Sequence, residues 1–147
     1  MVKVTKKNRY RVLFLCGTNS CRSQMAEGFM NNLWNNKFEA FSAGASTAKV
    51  HPLAIRVMKE IGIDISNQYS KLVTKFNGQD FYYVITLCAS DPGGICPLFI
   101  GNAKTKIDWS FEDPAKAKGT EEEVLKVFRK VRDGIKAALE DLFRDII

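Results

Sequence analysis

Residues 81–88, FYYVITLC, are apolar almost throughout and rich in aromatic and β-branched side chains, a composition that suits a strand covered on both faces. Such a strand belongs to a sheet with helices packed against it, and the rest of the chain supplies the alternation this requires. RYRVLFL (9–15) reads as a second buried strand, FEAFSAG (38–44) as a short one ending in glycine, and KTKID (104–108) as a weaker one. Between them run helical periods. From Ser23 onward Met25, Ala26, Phe29, Met30, Leu33 and Trp34 recur at helical spacing. HPLAIRVMKEI (51–61) opens with a proline suited to a first turn and repeats Leu53, Ile55, Val57, Met58 and Ile61. Residues 70–77 add a short helix. Thr120 to Glu123 has the form of a capping box, and the helix behind it carries Val124, Val127, Phe128, Val131, Ile135, Leu139, Leu142 and Ile146 on one stripe.

This alternation predicts an α/β domain: a doubly wound four-stranded parallel sheet with right-handed crossovers and helices on both faces. At 147 residues, 46% apolar and 26% charged, the chain suits one domain over 1–147 with a single sizeable core. No repeat, linker or low-complexity tract divides it. No stretch approaches the roughly 18 consecutive apolar residues of a membrane span. The start, MVKVTKKNRYRVLFLC, has the basic-then-apolar order of a signal peptide, but Arg11 interrupts it and no small-residue cleavage site follows. A buried first strand and a cytoplasmic protein are expected instead. The net charge of +6 admits nucleic acid, membranes or small anions as partners. Lys3, Lys6, Lys7, Arg9 and Arg11 crowd the N-terminus, where residues 1–8 read as a flexible basic tail. The remaining basic residues are mixed with acids and no basic run is interleaved with stacking aromatics, so neither nucleic acid nor membrane is expected as a partner.

In doubly wound sheets ligands bind beyond the carboxyl ends of the strands. Here RVLFL runs into Cys16, YYVITL into Cys88, and the last strand toward Asp113, which would bring two thiols and a carboxylate to one rim. The stretch LFLCGTNSCRSQMAEGF (13–29) is a strand, a turn of small residues and a helix start. That combination cradles an anion, with backbone N–H groups pointing inward and the helix dipole adding partial positive charge. Arg22 contributes a planar fork of donors suited to a tetrahedral oxyanion. The same field favours a thiolate at Cys16, while Asn19, Ser20 and Ser23 are placed to hold the loop and hydrogen-bond the sulfur. A buried apolar cysteine would explain Cys16 alone, but not Cys16 together with Arg22 and a helix start at this spacing. Cys88 and Cys96 admit packing, a structural disulfide or metal ligation. A cytosolic setting argues against the disulfide, and a single His51 without a CxxC pair argues against zinc. Cys21 reads as a packing thiol, His51 as a helix-entry residue, and Trp109 and Phe111 as packing. Asp113, before Pro114, either caps a turn or faces the rim as an acid.

Cys16, five residues, then Arg22-Ser23, continued by QMAEGF, resembles the low-molecular-weight protein tyrosine phosphatase superfamily and, within it, the thioredoxin-coupled arsenate reductases. FSAG (41–44), HPLAIRVMKEIGIDISNQ (51–68), VITLC (84–88), Cys96-Pro97, FEDPAKAKGTEEE (111–123) and the last helix extend the likeness almost end to end. The resemblance implies a Cys16 nucleophile, Arg22 as oxyanion ligand, Asp113 as general acid, and Cys88 and Cys96 as redox thiols. Its anion loop would comprise Gly17, Thr18, Asn19, Ser20, Cys21, Arg22 and Ser23. It further implies arsenate as substrate, with phosphate or sulfate able to occupy the same loop, thioredoxin as reductant, no cofactor, and a monomer. One thiol is enough for phosphate-ester hydrolysis, whereas reducing arsenic(V) takes two electrons and a relay of three thiols. A phosphatase acting through a Cys16 phosphoenzyme is the alternative, and a non-catalytic oxyanion-binding or thiol-sensing module a third reading. Tyrosine phosphatases of the superfamily usually carry tyrosines directly after Asp-Pro; Ala115 and Lys116 stand here instead, which favours a small inorganic anion. Other positions depart from the reductase pattern. Gly17-Thr18 reverses the usual order, Asp108 stands where a histidine is common, and the Cys88–Cys96 span is one residue longer than usual. That span, with Asp91-Pro92-Gly93-Gly94, is expected to be a flexible loop. Some members bind potassium near the loop through residues matching Asn19, Glu27 and Ser42. Lys71 replaces the remaining carboxylate, so its ammonium is expected to stand in for the ion and pair with Glu27.

Overall fold

The computed structural model describes residues 9–92 and 96–147. Its elements are β1 (Tyr10–Cys16), α1 (Arg22–Leu33), β2 (Phe38–Gly44), α2 (Pro52–Lys59), β3 (Asp80–Thr86), β4 (Asn102–Asp108) and α3 (Glu121–Leu142), with short 3-10 turns at Val73–Phe76 and Pro114–Lys116. The four strands form one parallel sheet in the order β2-β1-β3-β4, the α/β architecture expected from the alternation. Its register aligns the strand ends: Cys16 pairs with Gly44, Leu15 with Thr86, and Thr86 with Asp108. The carboxyl termini of all four strands therefore open on one rim.

The alternation of side chains along β1 divides the interior. Val12 and Phe14 face a core shared with Phe29 and Met30 of α1, Met58 of α2 and Phe128 and Ile135 of α3, all buried. Leu13 and Leu15 face a second core with Phe76, Phe81, Val84 and Phe99. The three α-helices thus cover one face, and a single 3-10 turn with the segment carrying Phe99 covers the other. Each large apolar side chain so buried contributes about 1.5–3 kcal/mol. The helix foreseen at 70–77 is present only as the turn Val73–Phe76. Arg132 ties α3 to α2, its Nη1 donating to the Val57 carbonyl at 2.8 Å and to Glu60 at 2.9 Å.

Element ends differ from the sequence expectation where tertiary pairing intervenes. The strand read as 81–88 leaves the ladder after Thr86. Leu87 still donates to the Leu15 carbonyl, but residues 87–89 then pair with 109–111: Phe111 N–H donates to Leu87 O, Ala89 N–H to Trp109 O, and Cys88 bridges Ser110 in antiparallel fashion. Helix α2 stops at Lys59 because Gly62, at φ 81°, turns the chain and Ile63 N–H closes on Met58 O. Helix α1 starts one residue before Ser23, at Arg22. The glycine ending FSAG has a steric reason: a Cβ at Gly44 would lie 2.8 Å from the Asn19 nitrogen, the Gly17 oxygen and the Ser46 oxygen, all backbone. Only glycine lets the turn after β1 lie against the end of β2. Residues 1–8 lie outside the described residues, and among those described no helix is long and apolar enough to cross a membrane.

Candidate active site

Cys16 is the last residue of β1, and the chain turns through residues 17–21 into α1. Asn19 sits at φ 54°, a left-handed conformation asparagine tolerates better than most residues. Its side chain works in both directions. Nδ2 donates to Ser23 Oγ at 2.7 Å, while Oδ1 accepts the backbone N–H of Lys71 at 2.9 Å. Ser23 Oγ lies 2.8 Å from Cys16 Sγ. Since the Asn19 amide already donates to that oxygen, the serine proton is free to be given to a Cys16 thiolate. Gly17 O accepts from Ala45 and Ser46, Ser20 O from His51, Thr18 O from Ser70 Oγ and Asn19 O from Gln24. These supports take carbonyls and side chains. Among the described residues no acceptor takes the backbone N–H of Thr18, Asn19, Ser20 or Cys21. Helix α1 likewise begins with no side-chain cap and no acid in its first turn, unlike α2, capped by His51 Nδ1, and α3, closed by the Thr120–Glu123 capping box. Its free donors and dipole are left for an anion.

Arg22 is 3% exposed. Its Nη1 donates to Asp91 Oδ1 and to the Phe111 carbonyl, and its Nη2 to Asp91 Oδ2, each at 2.8 Å. Nε is buried with no partner. Asp113 Oδ2 stands 3.8 Å from Nη2. The Nε hydrogen and the second Nη2 hydrogen, side by side, form a fork matching two oxygens of a tetrahedral anion. Burial works against the Arg22 charge, but the Asp91 hydrogen bonds and the neighbouring Cys16 and Asp113 outweigh it and hold its pKa above the ordinary value. In return, hydrogen bonding from Arg22 holds the Asp91 carboxyl below the usual range. A cavity of about 220 Å³ opens over the loop, bordered by Gly17, Thr18, Arg22, Asp91, Asp113 and Lys116. Asp113 Oδ1 caps the Pro114–Lys116 turn by accepting the Ala115 N–H at 3.0 Å, and the residue borders the cavity.

Cys88 and Cys96 are joined by a disulfide, with Cα atoms 5.9 Å apart, while Cys16 and Cys21 are free thiols. Cys88 is 1% exposed, and its Sγ lies 4.0 Å from the carbonyl oxygen of Leu15, the residue before Cys16. Cys96 is half-buried. Asp91 N–H closes a turn on Cys88 O at 3.0 Å; Gly93 and Gly94 of the expected loop lie outside the described residues. Cys21 behaves as packing, its thiol pushed up to about 12 by burial. His51 enters α2 as expected, its pKa lowered by burial. Trp109 and Phe111 pack edge-to-face at 6.0 Å. Lys71 Nζ lies 3.6 Å from Glu27 Oε1 and donates to the Tyr69 carbonyl at 2.8 Å, while Ser42 Oγ donates to Glu27 at 2.6 Å. An internal ammonium therefore stands beside Glu27, and these residues do not fit a further cation. The sequence reading overlooked Asp91. A buried arginine calls for a carboxylate partner, and Asp91 is the one acid between Cys88 and Cys96.

The chain is similar to known proteins over nearly its whole length. Residues 11–147 match the profile of the low molecular weight phosphotyrosine protein phosphatases. An arsenate reductase of Halalkalibacterium halodurans is 45% identical over 128 residues, covering 87% of this chain and 91% of the relative. A glutaredoxin arsenate reductase of Synechocystis sp. is 41% identical over 136 residues, covering 92% and 98%. A solved structure described as an arsenate reductase in the phosphate binding state superposes with a TM-score of 0.78 at 40% identity, covering 94% of this chain and 99% of that one.

Proposed function

The chain belongs to the low molecular weight phosphotyrosine protein phosphatase family, and from that premise we propose that it reduces arsenate to arsenite in arsenic detoxification. The observation that carries this is the Cys88–Cys96 disulfide beside a free Cys16 on one sheet rim. That is the state in which a three-thiol relay ends, and a phosphatase has no use for it. Arsenate binds to the loop N–H groups and the free fork of Arg22, as its near-isosteres phosphate and sulfate would. The Cys16 thiolate attacks arsenic and displaces an oxygen, which leaves as water with a proton from Asp113. The Cys88 thiolate then attacks Cys16 Sγ. The sulfur–arsenic bond breaks with its electron pair staying on arsenic, which departs as arsenite, and a Cys16–Cys88 disulfide remains. The Cys96 thiolate attacks Cys88, releasing Cys16 as a thiolate and leaving Cys88–Cys96. Of these two sulfurs only that of half-buried Cys96 is open to an external reductant.

The reductant is taken to be thioredoxin, acting in the cytoplasm where such dithiol proteins are kept reduced, and the enzyme to be a monomer. The Synechocystis relative is named for glutaredoxin, so both dithiol proteins enter the test. Reduced protein is incubated with arsenate, NADPH, thioredoxin reductase and thioredoxin, or with glutathione and glutaredoxin, and arsenite is quantified. Arsenite should form in step with NADPH consumption in the thioredoxin arm, and Cys16→Ser should form none. Hydrolysis of an aryl phosphate with no arsenite in either arm would establish the phosphatase instead.

A further inference from the structure

Four consecutive residues beyond β2 run along the anion loop, each hydrogen-bonded to it or to the start of α1. Gln68 Nε2 donates to the carbonyl and side chain of Gln24, and Tyr69 O accepts from Gln24 Nε2. Ser70 Oγ donates to the Thr18 carbonyl at 2.9 Å, and Lys71 N–H to Asn19 Oδ1 at 2.9 Å. This strap is pinned in turn to the end of β2, where Gly44 N–H donates to Lys71 O and Gly44 pairs with Leu72. A trans peptide is planar and points its N–H away from its C=O, so a loop carbonyl held from outside turns the next N–H inward. The four loop carbonyls are not held alike. Gly17 O accepts from two backbone N–H groups, Ser20 O from one, and Asn19 O from the amide of fully buried Gln24. Among the described residues, Thr18 O rests on the Ser70 hydroxyl alone. That hydroxyl has one hydrogen; since Ala48 N–H donates to the same oxygen at 3.1 Å, the hydrogen is free for Thr18.

The peptide that Ser70 holds is also the one with a reason to turn. Asn19 is left-handed at φ 54°, a conformation that persists only where the surroundings hold it. Half a rotation of the Thr18–Asn19 peptide, the change that separates type I from type II turns, would return Asn19 to negative φ. It would also carry the Asn19 N–H away from the anion cavity that Thr18 borders and swing the Thr18 carbonyl toward it. Resting on the reading that this loop binds a tetrahedral oxyanion, we propose that Ser70 is a positioning residue for the substrate: its hydroxyl latches the Thr18–Asn19 peptide with the Asn19 N–H turned to the anion. Ser70 is not among the residues bordering the cavity over the loop. It acts before the anion arrives, and without it the apparent affinity is divided by the fraction of loops still in the competent orientation. A bound anion favours that same orientation, so the loss is recovered at high anion concentration. On its other side Ser70 opens on a separate cavity of about 260 Å³ with Lys49, Val50 and Tyr69, where a threonine methyl has room.

The test measures protection of Cys16 from iodoacetamide by sulfate in the oxidised protein, whose Cys88 and Cys96 are closed to the reagent. No arsenic chemistry enters, so the result stands apart from the reductase reading. Ser70→Ala should need about fivefold more sulfate for half protection, the order of one neutral hydrogen bond, and should still reach the parent's limiting protection at saturation. Ser70→Thr keeps the hydroxyl and should stay within about twofold of the parent. In turnover, the Ser70→Ala defect should fall on the arsenate KM by the same factor and leave kcat unchanged. A serine that only supports the fold would lower the urea midpoint and leave the sulfate dependence where it is. That result overturns the latch, as does half protection of Ser70→Ala at the parent's sulfate concentration, or an equal weakening in Ser70→Thr. A parent protected by neither sulfate nor phosphate overturns the anion loop and the latch with it. Protection that Ser70→Ala weakens and Ser70→Thr restores, in a protein that releases no arsenite, upholds the latch while the proposed activity is lost.

Discussion

Arg22 carries five N–H hydrogens, and the protein uses three: two for the Asp91 carboxylate and one for the Phe111 carbonyl. The remaining two lie on the edge facing the loop, one of them on a buried nitrogen with no partner. Asp91 thus acts as a positioning residue, taking the end of the guanidinium and leaving its side for the anion. Replacing the charge alone tests this. In Asp91→Asn the amide must turn a donor toward one guanidinium nitrogen, so Arg22 loses its fixed orientation. Sulfate, measured by its protection of Cys16 from iodoacetamide, should then bind about tenfold more weakly, the order expected for losing one charged hydrogen-bond pair. The depressed Asp91 carboxyl sets the sign of the pH effect. A group with a lowered folded pKa contributes above its unfolded value and loses that contribution as pH falls through the folded one. Anchoring by Asp91 is therefore complete at neutral pH and lost only in acid, below about pH 4. Equal sulfate protection in the parent and Asp91→Asn at neutral pH would remove Asp91 from the site. Arg22→Lys should be more severe, since a point charge cannot offer two parallel donors; turnover should fall at least about a hundredfold.

Between the elements, the loop is held by the chain beyond β2 as much as by its own turn. Lys71 brackets it, donating its backbone N–H to Asn19 and setting its ammonium beside buried Glu27. Glu27 has its pKa raised by burial, with Lys71 and Ser42 opposing that rise. Turnover should accordingly be the same in potassium and sodium buffers, and strong stimulation by potassium would count against the internal ammonium. Lys71→Met removes the opposing charge and pushes Glu27 higher still. A group with a raised folded pKa contributes fully below its unfolded value and loses that contribution as pH rises through the folded one. The urea midpoint of Lys71→Met should therefore drop as pH rises above the ordinary carboxylate range, relative to the parent over the same range. Much of this element scale was legible in advance. Local chemistry reveals the buried strands, the Thr120 capping box and the helix behind it, because apolar period and cap residues act within a few positions. The end of β3 was not legible, since residues 87–89 quit the ladder to pair with a segment twenty residues on. Nor was the thin cover of the second face, where the Val73–Phe76 turn and the segment carrying Phe99 do the work assigned to a helix. Cys16 and Arg22 could be singled out because loop and helix start lie within one stretch. Asp91 could not, because only the folded rim brings it to Arg22.

At the scale of the whole molecule the question is how electrons from an external reductant reach a closed site. Cys16 and Cys88 are both buried at the rim, and no reductant protein reaches them there. Cys96, eight positions beyond Cys88, is half-buried, and in the proposed relay it carries the disulfide outward. Removing it should divide the cycle cleanly. Reduced Cys96→Ser retains the nucleophile, the anion loop and the second thiol, so it should release one arsenite per protein and then stall with Cys16 joined to Cys88. Reduced Cys88→Ser should stall earlier, as the Cys16–arsenic adduct, with no arsenite released, because no thiolate is in place to take the sulfur. The parent, given arsenate with thioredoxin withheld, should accumulate the Cys88–Cys96 bond. Peptide mass spectrometry under acid quench distinguishes the three arrested states by which cysteines are linked. The burst of arsenite in Cys96→Ser separates chemistry from regeneration, and its size is set by the amount of protein, not by time. Should Cys96→Ser instead sustain the parent's steady turnover with thioredoxin, the reductant must reach the buried pair directly. Cys96 would then be no part of the path.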